Sequence, residues 1–273
     1  MFNIGYLGPE GTYSSYASKL YDKDNLKIPY NTINEVLNSL KNSKTNQVIV
    51  PLENSINGSI VEVLDFLASK NNFHIISELN LEINHSIYCF QETEINQIKV
   101  IYSHPQALAQ CYDYLSKNFK NVDLKASNST ANSLNDLINS KSTGAFIGPP
   151  WMKEKENIKL IGENIQSVKN NVTRFVVIGD EENLKKTISD KTSIVISFRE
   201  DSPGSLFKAL EPMAKKNINM TKIESRPTKE KLGSYYFFID IEGHIRDEVI
   251  KNSLSEINEV SSVKFLGSYP KFI

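Results

Sequence analysis

The sequence predicts an α/β protein with a separate βαββαβ unit on its C-terminal side. Three observations carry this. A strand, a polar turn and a helix recur four times, around Thr12, Glu53, Ser103 and Thr130, the pattern of a parallel-type sheet with its loops gathered on one edge. A charged stretch of weak periodicity, residues 181–191, reads as a linker. Beyond it the order strand, helix, strand, strand, helix, strand is the ferredoxin-like arrangement of a small independent domain. The 273 residues leave room for two or three such units.

The elements follow from local pattern. Phe2 to Leu7 is apolar and strand-like, and the turn Gly8-Pro9-Glu10-Gly11-Thr12-Tyr13-Ser14 leads into a helix ending near Leu20. Thr32 and Glu35 form a capping-box pattern before Ile33, Val36, Leu37 and Leu40, which share one helical face. Val48-Ile49-Val50 is a short strand that Pro51 is expected to end, and Leu52 to Gly58 is a polar loop before a helix from about Ser59 to Ala68. Residues 73–90 alternate in part and suit a half-buried strand crossing between two lobes. Val100 to Tyr102 is a strand, with Pro105 opening a helix that runs to about Asn118. Val122, Leu124 and Ala126 alternate as a strand, Ser129 and Thr130 cap a helix to about Ile138, and Gly144 to Gly148 is a strand. On the C-terminal side the strands are Ser193–Phe198, Met220–Ser225, Tyr235–Ile241 and Ser262–Leu266, and the helices Gly204–Lys216 and Asp247–Ile257. Pro212 should kink the first of these helices unless its ring faces solvent.

Composition excludes several classes. With 40% hydrophobic and 23% charged residues the chain is an ordinary globular protein. A net charge of −1 argues against nucleic acid or an anionic membrane as partner. No apolar run approaches the ~20 residues of a membrane span, and no leader pattern precedes the first strand, so a cytoplasmic protein is expected. Cys89 and Cys111 lie in different elements, and His74, His85, His104 and His244 are scattered, so neither a disulfide framework nor metal chemistry is expected.

Candidate site residues come from the loops. Several helix starts carrying Ser, Thr, Asn and Gln side chains suit an anionic small molecule. The first loop has no Lys for a phosphate-binding loop and lacks the dinucleotide fingerprint. Glu53, Asn54 and Ser55 form either a solvated helix cap or a hydrogen-bonding ledge at a strand end. Asn171-Val172-Thr173-Arg174-Phe175 puts a hydroxyl, a cation and a ring at a strand entrance. On a pleated strand Thr173 and Phe175 share one face and Arg174 points to the other.

The sequence resembles the prephenate dehydratase family followed by its ACT regulatory domain. The segments that carry the likeness are Gly8 to Ser14, Pro51 to Gly58, Ser103-His104-Pro105-Gln106-Ala107-Leu108-Ala109-Gln110-Cys111, and Asn171 to Phe175. In the second domain they are Gly204-Ser205-Leu206 and Glu224-Ser225-Arg226-Pro227. The resemblance implies a bilobal catalytic domain like a type II periplasmic binding protein over residues 1–180, with a second lobe at roughly 80–155. A linker at 181–191 and the ACT domain at 192–273 complete the expected division. It implies decarboxylation and dehydration of prephenate to phenylpyruvate in phenylalanine biosynthesis, with no cofactor or metal. It also implies feedback inhibition by L-phenylalanine, and a homodimer or homotetramer. Thr173 takes the catalytic position. Thr12, Glu53, Asn54, Ser55, Ser103, Gln106, Thr130, Asn171, Arg174 and Phe175 are expected at the substrate. Gly204, Ser205, Leu206, Glu224, Ser225 and Arg226 are expected at the effector.

Glu53 is read as a cap, the alternative being an acid that resupplies the proton, and Arg174 as either a charge partner or a brace for its loop. Departures from the family pattern are Gly148-Pro149-Pro150-Trp151-Met152, which bears on local lobe packing, Ser167 in place of an acid, and Ser205 in place of Ala. The competing expectations are arogenate as substrate, or a non-enzymatic bilobal sensor. A chorismate mutase fusion is not expected.

Overall fold

The structure, a computed structural model, describes residues 2–181, 185–198 and 202–271. In chain order the elements are β1 (Asn3–Leu7), α1 (Tyr13–Tyr21), β2 (Leu26–Tyr30), α2 (Ile33–Lys41), β3 (Gln47–Asn54), β4 (Gly58–Ser59), α3 (Val61–Ala68) and β5 (His74–Glu82). They continue as β6 (Ser86–Phe90), β7 (Val100–Ser103), α4 (Pro105–Gln110), α5 (Tyr112–Asn118), β8 (Asp123–Ala126), α6 (Ser133–Ser140), β9 (Gly144–Gly148), β10 (Ile158–Gly162) and β11 (Val172–Gly179). Last come β12 (Asp190–Ser197), α7 (Ser205–Lys215), β13 (Met220–Pro227), β14 (Tyr235–Glu242), α8 (Glu248–Val260) and β15 (Ser262–Pro270).

These strands build three sheets. The first runs β2-β1-β3-β11-β5 with β4 beside β3, the second β10-β6-β9-β7-β8, and the third β13-β14-β12-β15. The first sheet is mixed where a parallel-type sheet was expected: β1 pairs parallel with β2 and β3, but β11 is antiparallel to both β3 and β5. That reversal brings the start of β11 beside the end of β3. The chain leaves the first lobe between β5 and β6 and returns between β10 and β11, so two crossing segments, 83–85 and 163–171, join the lobes.

Local chemistry explains the helix starts. Thr12 Oγ1 accepts from the Ser15 amide (3.2 Å), and Thr32 Oγ1 accepts from the Glu35 amide (3.1 Å) while the Glu35 carboxylate accepts from the Asn31 amide (2.9 Å). The helix expected from Pro105 to Asn118 is broken at Cys111. The helix expected after Thr130 begins only at Ser133, with Ser129 Oγ accepting from the Asn132 amide at its approach. Pro51 does not end β3, which runs on to Asn54. Pro212 lies inside a continuous α7 with its ring buried, not turned to solvent. The expected strand Ser193–Phe198 begins earlier, at Asp190, and ends at Ser197.

Packing joins the C-terminal domain firmly to the first lobe. Val195, Phe238, Leu266 and Tyr269 from the third sheet belong to the same buried cluster as Val48, Val50, Val176 and Ile178 from the first. The other face of the first sheet packs Ile49, Leu79, Phe175 and Val177 beneath α1. Gly267 makes the closest approach: at φ +142° a Cβ there would lie 2.1 Å from the Ile75 carbonyl oxygen on β5. Only glycine lets β15 come so near that backbone.

Candidate active site

The alternation of β11 decides what meets what. Val176 and Ile178 face the third sheet, Phe175 and Val177 face α1, so Thr173 belongs to the α1 side and Arg174 to the C-terminal domain side. On β3 a β-bulge resets the alternation. Phe175 pairs with Pro51 but Arg174 with Glu53, leaving Leu52 as the extra residue. Past the bulge Asn54 falls on the same side as Thr173, while Glu53 falls on the side of Arg174. A proline fits there because a bulge relaxes the ladder's demand for every N–H.

A cleft of about 440 Å³ opens between the lobes. Thr12, Tyr13, Ser14, Asn54, Asn57 and Ile60 line it from the first lobe, and His104, Gln106, Gln110, Ser129 and Thr130 from the second. Ile83, His85 and Asn171 line it from the crossing segments, and Thr173 and Phe175 from β11. No Asp, Glu, Lys or Arg is among the described residues lining it. The N-terminal end of α1 opens into it, a favourable place for negative charge.

One hydrogen-bond chain orients the floor. Asn54 Oδ1 accepts from the backbone amides of Ile56 and Asn57 (both 3.0 Å), which fixes its amide the other way round for everything else. Asn54 Nδ2 therefore donates, to Asn171 Oδ1 (2.7 Å) and to Thr173 Oγ1 (2.9 Å). Thr173 Oγ1 receives a hydrogen bond, which leaves its own proton available to the cleft. Asn171 Nδ2 in turn donates to Gln110 Oε1 (3.3 Å), across the lobe seam. His85 Nε2 is 2.9 Å from the same oxygen and so carries the proton. Burial holds His85 below the ordinary imidazole range, keeping it neutral.

A second seam contact is aromatic. Trp151 stacks on Tyr16 (4.3 Å between centroids, 14° between planes), meets Tyr13 edge-on (4.8 Å, 74°) and donates its indole N–H to the Gly11 carbonyl (3.2 Å). The departure from the family pattern at Gly148 to Met152 thus supplies an inter-lobe clasp. At Ser167 the missing acid is offset by Asp113, whose carboxylate accepts from the Ser167 hydroxyl (2.8 Å).

The structure brings Thr12, Asn54, Gln106, Thr130, Asn171, Thr173 and Phe175 together in the cleft. Thr12 lines it with its hydroxyl already committed, donating to the Pro9 carbonyl (2.9 Å). Four other expected residues lie elsewhere. Glu53 pairs with Lys222 of the C-terminal domain (2.8 Å). Ser55 accepts from the Val172 amide (2.9 Å) and donates to the Asn170 carbonyl (3.1 Å), clamping the loop before β11. Ser103 is fully buried and donates to the Ile147 carbonyl (3.1 Å). Arg174 is enclosed between the first and third sheets. Sequence reasoning passed over Gln110 and His85. Gln110 stands four residues after Gln106 on one helical face, a spacing that marks it; a lone histidine after a strand carries no such signal.

In the C-terminal domain Gly204 has φ +85° at the start of α7, and Ser205 shares a hydrogen bond with the Ser202 hydroxyl (2.9 Å). Leu206 is half-buried and Ser225 exposed. Glu224 bonds Ser59 of the first lobe and lies 3.0 Å from Lys222, and Arg226 is 3.8 Å from Asp65. Cys89 and Cys111 are free and buried, with the Cys111 thiol pushed up to about 12 by burial, so neither is a ready nucleophile. Among the described residues no helix is long and apolar enough to cross a membrane.

Two α/β lobes around an uncharged polar cleft, with a ferredoxin-like domain packed behind, define the class: a type II periplasmic-binding-protein-like domain carrying an ACT domain. The prephenate dehydratase model matches residues 4–183 and the ACT domain model residues 192–259. The chain belongs to the prephenate dehydratase family. It is 39% identical over 278 residues to a prephenate dehydratase of Methanocaldococcus jannaschii, covering 98% of this chain and 97% of the relative. Among solved structures, the prephenate dehydratase of Arthrobacter aurescens in complex with L-Phe is 31% identical with a TM-score of 0.87, covering 98% of this chain and 90% of that one. That of Staphylococcus aureus subsp. aureus Mu50 is 30% identical with a TM-score of 0.85, covering 98% and 100%.

Proposed function

We propose that this chain converts prephenate to phenylpyruvate, carbon dioxide and water, a step of phenylalanine biosynthesis, with Thr173 as the catalytic hydroxyl. The observation that carries the assignment of Thr173 is the direction of its hydrogen bond: Asn54 donates to Oγ1, so the threonine proton is free to point at substrate. In the reaction the bond from ring carbon to carboxylate breaks and its electron pair enters the ring. The ring hydroxyl leaves with the electrons of its own bond. Thr173 donates a hydrogen bond to that departing oxygen, and a positioned donor of this kind contributes on the order of 100- to 10,000-fold. The proton that completes water returns from solvent.

The two substrate carboxylates are held without formal cations, by the amide end of α1 and by Asn57, Gln106, Gln110, Ser129 and Thr130. Phe175 and Ile60 supply apolar walls for the ring. Prephenate is favoured over arogenate because the described residues lining the cleft include no carboxylate to pair with an ammonium group. Residues 1–180 are the catalytic domain, and the ACT domain, expected over 192–273, opens slightly earlier with β12 at Asp190, which shortens the expected linker of 181–191. The second lobe, roughly 80–155, is extended by β10. L-Phenylalanine inhibits through Gly204, Ser205, Leu206, Glu224, Ser225 and Arg226, in a homodimer or homotetramer. The L-Phe complex of a 31% identical relative supports this regulation.

The test is turnover of prephenate and arogenate side by side, each with and without L-phenylalanine. Prephenate should be preferred and the reaction inhibited. Absence of phenylpyruvate formation from prephenate would overturn the assignment, and activity unmoved by saturating L-phenylalanine would overturn the regulatory part alone.

A further inference from the structure

We infer that Arg174 is a positioning residue that fixes the catalytic strand entrance to the C-terminal domain, so that the placement of Thr173 follows the state of that domain. The inference rests on the reading of the site and its regulation given above.

Each of the three nitrogens of the Arg174 guanidinium has a partner. Nε donates to Glu78 Oε2 on β5 (2.7 Å), Nη1 to Asp240 Oδ2 on β14 (2.5 Å), and Nη2 to the Tyr269 hydroxyl on β15 (2.8 Å). The remaining bonds close a ring. Asp240 Oδ1 accepts from Ser193 Oγ (2.5 Å), so Ser193 accepts from the Tyr269 O–H (2.5 Å), and Tyr269 accepts from Arg174. Lys191 stands 2.8 Å from Glu78 Oε1, so two cations balance two carboxylates in the core. A guanidinium held by three strands of two domains cannot shift alone.

Its neighbours complete a tile. Arg174 is the ladder partner of Glu53, and Asp240 is the ladder partner of Lys222. Arg174 binds Asp240 and Lys222 binds Glu53 (2.8 Å), so one rung of the first sheet is bolted to one rung of the third. The next rung of the first sheet is Thr173 with Asn54, the pair that orients the catalytic hydroxyl. On the other side, Lys222 also holds Glu224 (3.0 Å), one of the residues expected at the effector. A shift of β13 against β14 therefore reaches the Thr173–Asn54 rung through packed, charged contacts rather than through solvent. Coupling of this kind requires two arrangements that the effector distinguishes.

The test compares full-length wild type with Asp240→Asn, Tyr269→Phe and Ser193→Ala in prephenate turnover, L-phenylalanine inhibition and calorimetric L-phenylalanine binding. For Asp240→Asn we expect kcat to fall about tenfold or more with KM changed less than about twofold, since misplacement acts on the reacting geometry. L-Phenylalanine should still bind while its maximal inhibition is at least halved. Tyr269→Phe and Ser193→Ala keep both ion pairs of Arg174 and should each lower kcat about threefold with KM unchanged. These two decide the matter if Asp240→Asn does not fold. A purely structural cluster would lower thermal stability while leaving kcat per folded molecule and the inhibition unchanged, and that result overturns the inference. If wild type is not inhibited by L-phenylalanine, the regulatory reading fails on its own, and the split between kcat and KM still judges the positioning role.

Discussion

Asn54→Asp is the sharpest perturbation of the floor of the cleft, because it reverses hydrogen-bond direction and adds one charge while keeping the side chain's shape. The aspartate keeps the acceptor that binds the Ile56 and Asn57 amides (3.0 Å each), so the turn before β4 is preserved. It loses both donated bonds, to Asn171 Oδ1 (2.7 Å) and Thr173 Oγ1 (2.9 Å). The threonine proton then turns toward the new carboxylate and away from substrate. Loss of that donor alone should reduce kcat by about 100-fold or more. The added charge also repels the dianion. At roughly 6 Å and an effective dielectric of 20 the pair with the nearer substrate carboxylate alone costs about 3 kcal/mol, so KM should rise about 100-fold or more as well. Below the carboxyl's own pKa the protonated side chain can donate again, and activity should recover partly as pH falls. Steady-state turnover of prephenate from pH 5 to 8, on protein whose circular dichroism matches wild type, reads all three effects. An Asn54→Asp enzyme with kcat within about threefold of wild type at neutral pH would refute the directed-chain argument.

Other expectations follow from the same contacts. Trp151→Ala removes one stacked and one edge-on aromatic pair across the seam (4.3 and 4.8 Å), together about 1–3 kcal/mol, so KM for prephenate should rise about tenfold with kcat nearly constant. As the chain's single tryptophan it should also change emission on ligand binding; unchanged KM and emission would deny the clasp. Gly267→Val drives a side chain into the Ile75 carbonyl, 2.1 Å from the Cβ position, and should destabilise the protein by more than about 3 kcal/mol in urea unfolding. A loss under about 1 kcal/mol would mean the sheets are not in contact as described. His85 has its folded pKa lowered by burial, so below the unfolded value of about 6.5 the unfolded chain binds the extra proton. Stability should therefore decline as pH drops through 6.5 toward the lower folded value, and His85→Gln should flatten that part of a melting-temperature profile against pH. An unaltered slope would exclude His85 as its source.

The sequence was informative where alternation was uninterrupted. Thr173, Arg174 and Phe175 take the faces that strand parity assigns, because β11 keeps its period beside α1 and the third sheet. Glu53 escaped because parity is broken at Leu52, and a bulge has no residue signature of its own, although Pro51 inside the strand marks where the ladder is relaxed. Strands β2 and β10 were not anticipated: each is a short edge strand whose residues are only partly covered, so its alternation is weak. The destination of Arg174 depended on Asp240 and Tyr269, dozens of residues away in another domain, which no local pattern supplies. The polar lining was recoverable by type and loop position. The directions of its hydrogen bonds were not, since they depend on how Asn54 meets the Ile56 and Asn57 amides.

The measurement that bears most directly on the account is prephenate turnover by Thr173→Ala and Thr173→Ser. The alanine enzyme, folded and still binding substrate, should form phenylpyruvate at least about 100-fold more slowly, and the serine enzyme should regain most of the lost rate. Near-wild-type phenylpyruvate formation by the alanine enzyme would remove this hydroxyl from the chemistry.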